Sequence, residues 1–258
     1  MPNYTKNIVT LTGPQDQLNN LKNKLVKTDD MDIFDFNLLI PMPESLMVEC
    51  SSTINEYINL YWTSINRDKD KNANIISEYE TAVLSYMGKT RTLWSDKVAL
   101  EIIPDSEYKE MIESKIKSHS RKSNVDENTP VFKSEQDVLE YGKKYLDNLK
   151  LYRYLTWYDW SIENWGTKWN SCEGSVSFFD DRLVFTFLTA WSIPDKVYIA
   201  LYKLIEESCP NVSMSIEFAD EDFGGAMGMV KGYDSQREDL SIEYFDEDEE
   251  FYEQVWGY

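Results

Sequence analysis

Trp157-Tyr158-Asp159-Trp160-Ser161-Ile162-Glu163-Asn164-Trp165-Gly166-Thr167-Lys168-Trp169 opens the stretch whose reading decides the fold, and Phe187-Leu188-Thr189-Ala190-Trp191-Ser192-Ile193-Pro194 closes it. Five of the chain's eight tryptophans fall between Trp157 and Trp191. An indole buries roughly 150–250 Å² and carries one N–H that needs a partner, so such a cluster either builds a core or presents a binding face. Here it reads as core and rim. Glu163, Asn164, Thr167 and Lys168 are the polar groups expected to satisfy the indoles and the backbone beside them.

Working outward, the second half is strand-rich. Ser175–Phe179 and Leu183–Thr189 form a hairpin through Asp180-Asp181. Ser192 is placed to cap a helix whose third position is Asp195, with Val197, Ala200, Leu201, Leu204 and Ile205 on its core face. Val212, Met214, Ile216 and Phe218 alternate with Ser213, Ser215 and Glu217, a strand with one wet face. Two more strands are expected at Ala226–Val230 and Leu240–Phe245. The glycines of Phe223–Gly232 suit a bulged hairpin, since Asp220-Glu221-Asp222 ahead of them would repel phosphate.

The N-terminal part mirrors this pattern. Asn7–Thr12 is a strand, Gly13-Pro14 opens a helix, and Leu18, Leu21 and Leu25 give that helix one apolar face to about Lys27. Thr28-Asp29-Asp30 is a turn, followed by an extended segment, Phe34–Ile40, closed by Pro41-Met42-Pro43. Between the halves, Cys50 to Leu151 is helical in period: Ile54 to Trp62, Ile75 to Tyr86, Asp105–Ser118, and Ser134–Leu149 with its capping-box start. His119–Pro130 is a polar loop containing an exposed His119.

The order strand-helix-strand, helical insertion, strand-strand-helix-strand-strand predicts an α+β sandwich, a mainly antiparallel sheet with helices on one face. One domain is expected, made of 1–49 and 152–245, with a helical insertion at 50–151 and an acidic C-terminal tail at 246–258. The five carboxylates from Asp246 to Glu250 predict a mobile segment, and Phe251, Tyr252, Trp256 and Tyr258 predict that its end docks.

The chain of 258 residues carries a net charge of −20, and Glu217–Tyr258 alone holds 14 acidic against 2 basic residues. That surface repels nucleic acid, whose binding rests on Lys and Arg releasing counterions. No apolar run reaches the roughly 18–20 residues that span a bilayer. Cys50, Cys172 and Cys209 are odd in number and widely spaced, which points to a reducing, cytoplasmic setting. One histidine supplies neither a triad nor a His-rich metal site, so no catalytic, metal or cofactor residues are expected.

Four blocks in order carry a family resemblance: Met1-Pro2-Asn3-Tyr4 with Asn7 and Val9; Phe34–Pro43; Trp165-Gly166-Thr167-Lys168-Trp169-Asn170; and Phe185–Pro194. In these the chain resembles the Api92-like proteins of phages, prophages and plasmids. The resemblance implies a ferredoxin-like domain and an origin in a mobile element, and it brings no catalytic residues with it. The expectation is a non-enzymatic acidic protein in the cytoplasm of a host cell. It would bind and inhibit a host protein with a basic surface, such as a nuclease or other nucleic-acid-binding defence component, through a surface that mimics nucleic acid. Asp220, Glu221, Asp222, Glu243, Asp246, Glu247, Asp248, Glu249 and Glu250 would face the partner's basic groove, with Tyr252 and Trp256 as anchors. The alternative is an enzyme or small-ligand binder with a pocket beside Trp165–Trp169.

Overall fold

A computed structural model describes residues 3–28, 32–87, 98–120 and 130–257. The chain divides into two compact units, Met1–Met42 with Trp160–Tyr258, and Pro43–Asp159. The expected Asp29-Asp30 turn and residues 121–129 of the expected loop lie outside the described residues.

In the first unit, strand β1 (Tyr4–Thr12) buries every second side chain, Thr5, Asn7, Val9 and Leu11. Helix α1 (Gln15–Leu25) buries Leu18, Leu21 and Leu25. It stops earlier than the leucine spacing suggests, because Val26–Thr28 turns extended as β2 and pairs with β3 (Asp32–Phe34). The extended reading of Phe34–Ile40 fails after Phe34. Asp35 Oδ1 accepts the Asn37 N–H at 2.9 Å, an Asx turn that winds Phe36–Leu38 into a 3₁₀ turn.

The remaining strands of this unit are β4 (Cys172–Phe178), β5 (Arg182–Ala190), β6 (Ser213–Asp220), β7 (Met227–Asp234) and β8 (Asp239–Tyr244). They form one sheet with β1 in the order β4-β5-β1-β6-β7-β8, each neighbour antiparallel. Antiparallel neighbours make β1 parallel to β4 across β5, and β5 parallel to β6 across β1. With α1 after β1 and a helix between β5 and β6, these are two interlocked split β-α-β units, the ferredoxin-like pattern, extended by β7 and β8. The β4–β5 hairpin closes with Phe179 donating to the Arg182 carbonyl at 2.7 Å.

The helix between β5 and β6, Asp195–Ser208, follows Pro194, and Ser192 does not cap it. The Ser192 hydroxyl donates instead to the Gly166 carbonyl at 2.7 Å. A helix absent from the sequence reading, Trp157–Trp165, buries Trp160, Ser161 and Trp165. It ends at Gly166, whose φ of +84° and tight approach to Asp195 exclude a side chain there. Trp165 sets the rim of the core: its ring meets Phe36 at 5.8 Å and Trp160 at 5.3 Å, and Phe36 meets Phe187 at 5.7 Å. Its indole N–H donates to the Ile40 carbonyl at 3.0 Å, not to the polar side chains expected for it.

At the centre of this core Asn7 is fully buried, and its amide is fully used. The Tyr198 hydroxyl donates to Asn7 Oδ1 at 2.6 Å, while Nδ2 donates to the Thr5 carbonyl at 2.8 Å and to Thr189 Oγ1 at 2.9 Å. Burial holds the Tyr198 phenol far above its ordinary pKa, so it stays a donor.

The second unit holds helices Ile54–Asn66, Lys69–Met87, Asp105–Ser118 and Glu135–Tyr152. The last of these packs against the other three. Its start is the capping box read from the sequence: Ser134 Oγ accepts from Asp137 N at 3.3 Å and Asp137 Oδ2 from Ser134 N at 2.9 Å. Gly142 lets it approach the first helix so closely that an added Cβ would lie 2.1 Å from the Tyr57 carbonyl oxygen. His119 is not exposed in a loop. It caps the helix Asp105–Ser118 half-buried, with Nδ1 2.8 Å from Ser118 Oγ and its ring 5.1 Å from Phe132.

Two substitutions test these cores by chemical denaturation. Tyr198→Phe leaves the Asn7 oxygen buried without its donor and is expected to cost about 1–3 kcal/mol. Gly142→Ala is expected to cost a similar amount, about 1–3 kcal/mol, because the obstacle is backbone and cannot rotate away.

Candidate functional site

The acidic residues singled out in the sequence lie in the first unit, on two stretches that the fold joins. The first is the turn after β6. Asp220 Oδ1 accepts the Asp222 N–H at 3.0 Å, Gly225 N–H donates to the Asp222 carbonyl at 2.8 Å, and Gly224 takes φ +89°. The glycine-rich stretch is therefore a turn leading into β7, and the bulge expected in it falls between Val230 and Gly232. The turn is tied to the start of β1: Glu221 N–H donates to the Tyr4 carbonyl and Asn3 Nδ2 to Asp222 Oδ2, both at 2.7 Å.

The second stretch corrects an expectation. Asp246–Glu250 does not run into a mobile tail; it leads into a helix, Glu249–Trp256. Asp248 caps that helix by accepting the Phe251 N–H at 3.0 Å, and Glu249 and Glu250 occupy the first turn, where the helix dipole favours negative charge. Five carboxylates repel one another, yet three of them sit where unsatisfied backbone N–H groups gather, and an apolar face holds the helix down. Val255 is buried, and Phe251 and Trp256 pack with it against Ile8, Ala219 and Met227. Ile8 and Ala219 point away from the core face of the sheet, so this helix covers part of the second face.

Tyr252 and Trp256, expected as anchors for a partner, join the two stretches internally. The Tyr252 hydroxyl donates to the Glu221 carbonyl at 2.6 Å and the Trp256 indole to the Asp220 carbonyl at 3.0 Å. Lys6 Nζ donates to the Trp256 carbonyl at 3.0 Å, at the helix C-terminus where a cation is favoured, although partial burial lowers its pKa. Glu243 lies on β8, paired with Lys231 at 2.6 Å.

One exposed aromatic was missed. Trp191 continues the alternation of Leu183, Phe185, Phe187 and Thr189 and would point inward, but its φ of +72° turns it out, 45% exposed. Such a backbone costs of order 1–3 kcal/mol for a bulky residue. Lys168 Nζ lies 4.7 Å from the Trp191 ring and 4.9 Å from that of Trp169. Asn3 links this patch to the acidic turn, since its carbonyl accepts the Trp191 N–H at 2.9 Å. Nothing in the spacing of Thr189-Ala190-Trp191-Ser192 signals the reversal.

Of Trp165–Trp169, beside which a pocket was the alternative reading, Trp165 is packed at 4% exposure and Thr167 is buried, while Trp169 is half-buried. A cavity of about 430 Å³ occurs in the second unit, lined by Thr63, Asn66, Ile102 and Ile103. The two charges on it, Arg67 and Asp105, are paired with each other at 2.8 Å. No described helix is long and apolar enough to cross a membrane.

No family model and no curated protein sequence matches the chain. Among solved structures it is similar to the crystal structure of a protein api92 from Yersinia pseudotuberculosis, at 11% identity over 95% of this chain and 98% of that one, with a TM-score of 0.43. The ferredoxin-like assignment stands on strand order and direction.

Trp256→Ala removes both the indole bond to Asp220 and packing on Val255. It is expected to lower the opening free energy of the last helix by about 2 kcal/mol, roughly thirtyfold faster amide exchange there. Amides of β1 and β5 should keep their protection.

Proposed function

We propose that this protein acts by binding: it captures and inhibits a basic host protein, of the kind that handles nucleic acid, by presenting an acidic surface in place of the phosphate backbone. The observation that carries the reading is the joining of Asp220–Asp222 to the helix Glu249–Trp256, whose start lies within Asp246–Glu250, through Tyr252 and Trp256. A merely solubilising tail needs no such fixing, whereas a surface that must match a partner does, because order present before binding lowers its entropic cost. The charge distribution supports the same reading. The residues of the first unit number 26 acidic against 10 basic, a net of −16, while those of the second are nearly balanced, 20 against 16. Opposed potentials of this kind act on encounter rate and on choice of partner. The origin in a mobile element and the inhibition of host defence belong to this proposal.

The test is affinity capture from a host lysate with the native chain and with Glu221→Lys/Asp246→Lys/Glu247→Lys, at low and moderate salt. A basic partner held by the native chain, lost from the variant and displaced by duplex DNA is the expected result. Equal recovery by both proteins, indifferent to salt, would overturn the reading.

A further inference from the structure

A sheet has two edges, and an edge strand displays backbone N–H and C=O groups with which any extended chain can pair. The two edges here differ. β4 is bulged between Cys172 and Ser175, Glu173 has a φ of +47°, and β3 lies against the strand, with the Ser171 hydroxyl donating to the Phe34 carbonyl. β8 ends the sheet on the other side with no such cover among the described residues, and Asp239, Ser241, Glu243 and Tyr244 are exposed. It contains neither proline nor lysine, the residues that commonly block an edge.

The direction of its backbone groups follows from two contacts. Phe245 N–H donates to the Met227 carbonyl at 3.0 Å, and the Glu243 carbonyl oxygen lies 2.2 Å from where a Cβ on Gly228 would stand. Residues 243 and 245 therefore turn their backbone groups toward β7. Alternation then turns those of Ile242 and Tyr244 outward, and those of Leu240 likewise. The Leu240 N–H is taken by its neighbour, Asp239 Oδ1, at 2.9 Å, as suits a donor with no strand beside it.

Charge selects the occupant. Glu238, Asp239, Glu243, Asp246 and Glu247 flank this edge. Lys203 pairs with Glu238 at 2.7 Å and Lys231 with Glu243 at 2.6 Å, so Asp239, Asp246 and Glu247 leave the edge net negative. A second copy of this chain, edge to edge, would bring the same carboxylates together, and like charges across a strand pair destabilise it. A basic strand reverses that sign. Tyr244, 61% exposed and edge-on to Phe218 at 6.0 Å, adds an aromatic face for a Lys or Arg side chain.

We propose that β8 takes up an extended Lys- or Arg-bearing segment of a partner protein as an added strand, paired through the backbone of Ile242 and Tyr244. This rests on the acidic unit being the binding face and gives the mode of capture: main-chain bonds for affinity, carboxylates for selection.

The probes are two peptides of equal charge, about twelve residues long, one alternating Lys and Thr and the other the same sequence N-methylated at every residue, which has no backbone N–H donor. The first is expected to bind at least about tenfold tighter. Saturation with it should slow exchange at the Ile242 and Tyr244 amides and leave Glu243, already in the ladder, unchanged. Ile242→Pro removes an outward donor without touching the β7 ladder and should equalise the two peptides. The exchange measurement on the native chain decides the matter even where that variant fails to fold. Equal binding of both peptides without new protection would overturn strand addition and leave the acidic-surface reading standing. Binding of neither at low salt would remove both. Protection of the Ile242 and Tyr244 amides in a dimer without peptide would assign the edge to a second copy and overturn the proposal.

Discussion

The Tyr198 hydroxyl meets the Asn7 amide inside a core where both are wholly buried, and the assembly of the first unit turns on that contact. A buried amide left with an unused donor or acceptor would cost about 1–3 kcal/mol for each. Every one here is used, and each partner belongs to a different part of the fold. Tyr198 comes from the helix over the sheet, Thr189 from β5, and Thr5 from β1 itself. Thr189 then donates onward to the Ser192 carbonyl at 2.8 Å, where the chain leaves β5 for that helix. Hydrophobic burial alone would allow the helix to slide over a flat aromatic sheet. The amide fixes its register.

Periodicity made much of this legible. Val9 and Leu11, Leu18 to Leu25, Val197 to Ile205 and Val212 to Phe218 each show one period without interruption, and the structure places each element there. The capping box at Ser134 was legible because two side chains and two backbone groups satisfy one another locally. What escaped reading depended on partners distant in sequence or on local competition. The helix Trp157–Trp165 is built from residues that suit strands as well, and its indole finds the Ile40 carbonyl 125 positions away. Ser192 has the composition of a cap, but the Gly166 carbonyl claims its hydroxyl first.

The candidate site was legible as a composition and illegible as an arrangement. A run such as Asp246–Glu250 reads as mobile because repulsion within it is evident, whereas the apolar side of the following helix shows only in the spacing of Phe251 and Val255. Trp191 belongs to the tryptophan-rich stretch, but its exposure could not be read there, since its outward turn is a backbone event that its own residue type disfavours.

The central position of β1 has a temporal consequence. It is the earliest strand of its sheet and waits longest for a neighbour: its partner Phe187 lies 180 positions downstream of Asn7, and its other neighbour, β6, ends only at Asp220. At roughly 5–20 residues per second, synthesis leaves β1 without either neighbour for on the order of ten to forty seconds. The helices of the second unit are completed within that interval and rest on contacts nearer in sequence. A nascent chain thus holds an unpaired, alternating apolar strand beside an already foldable helical body, and protection of residues 4–12 during translation becomes a requirement of the topology.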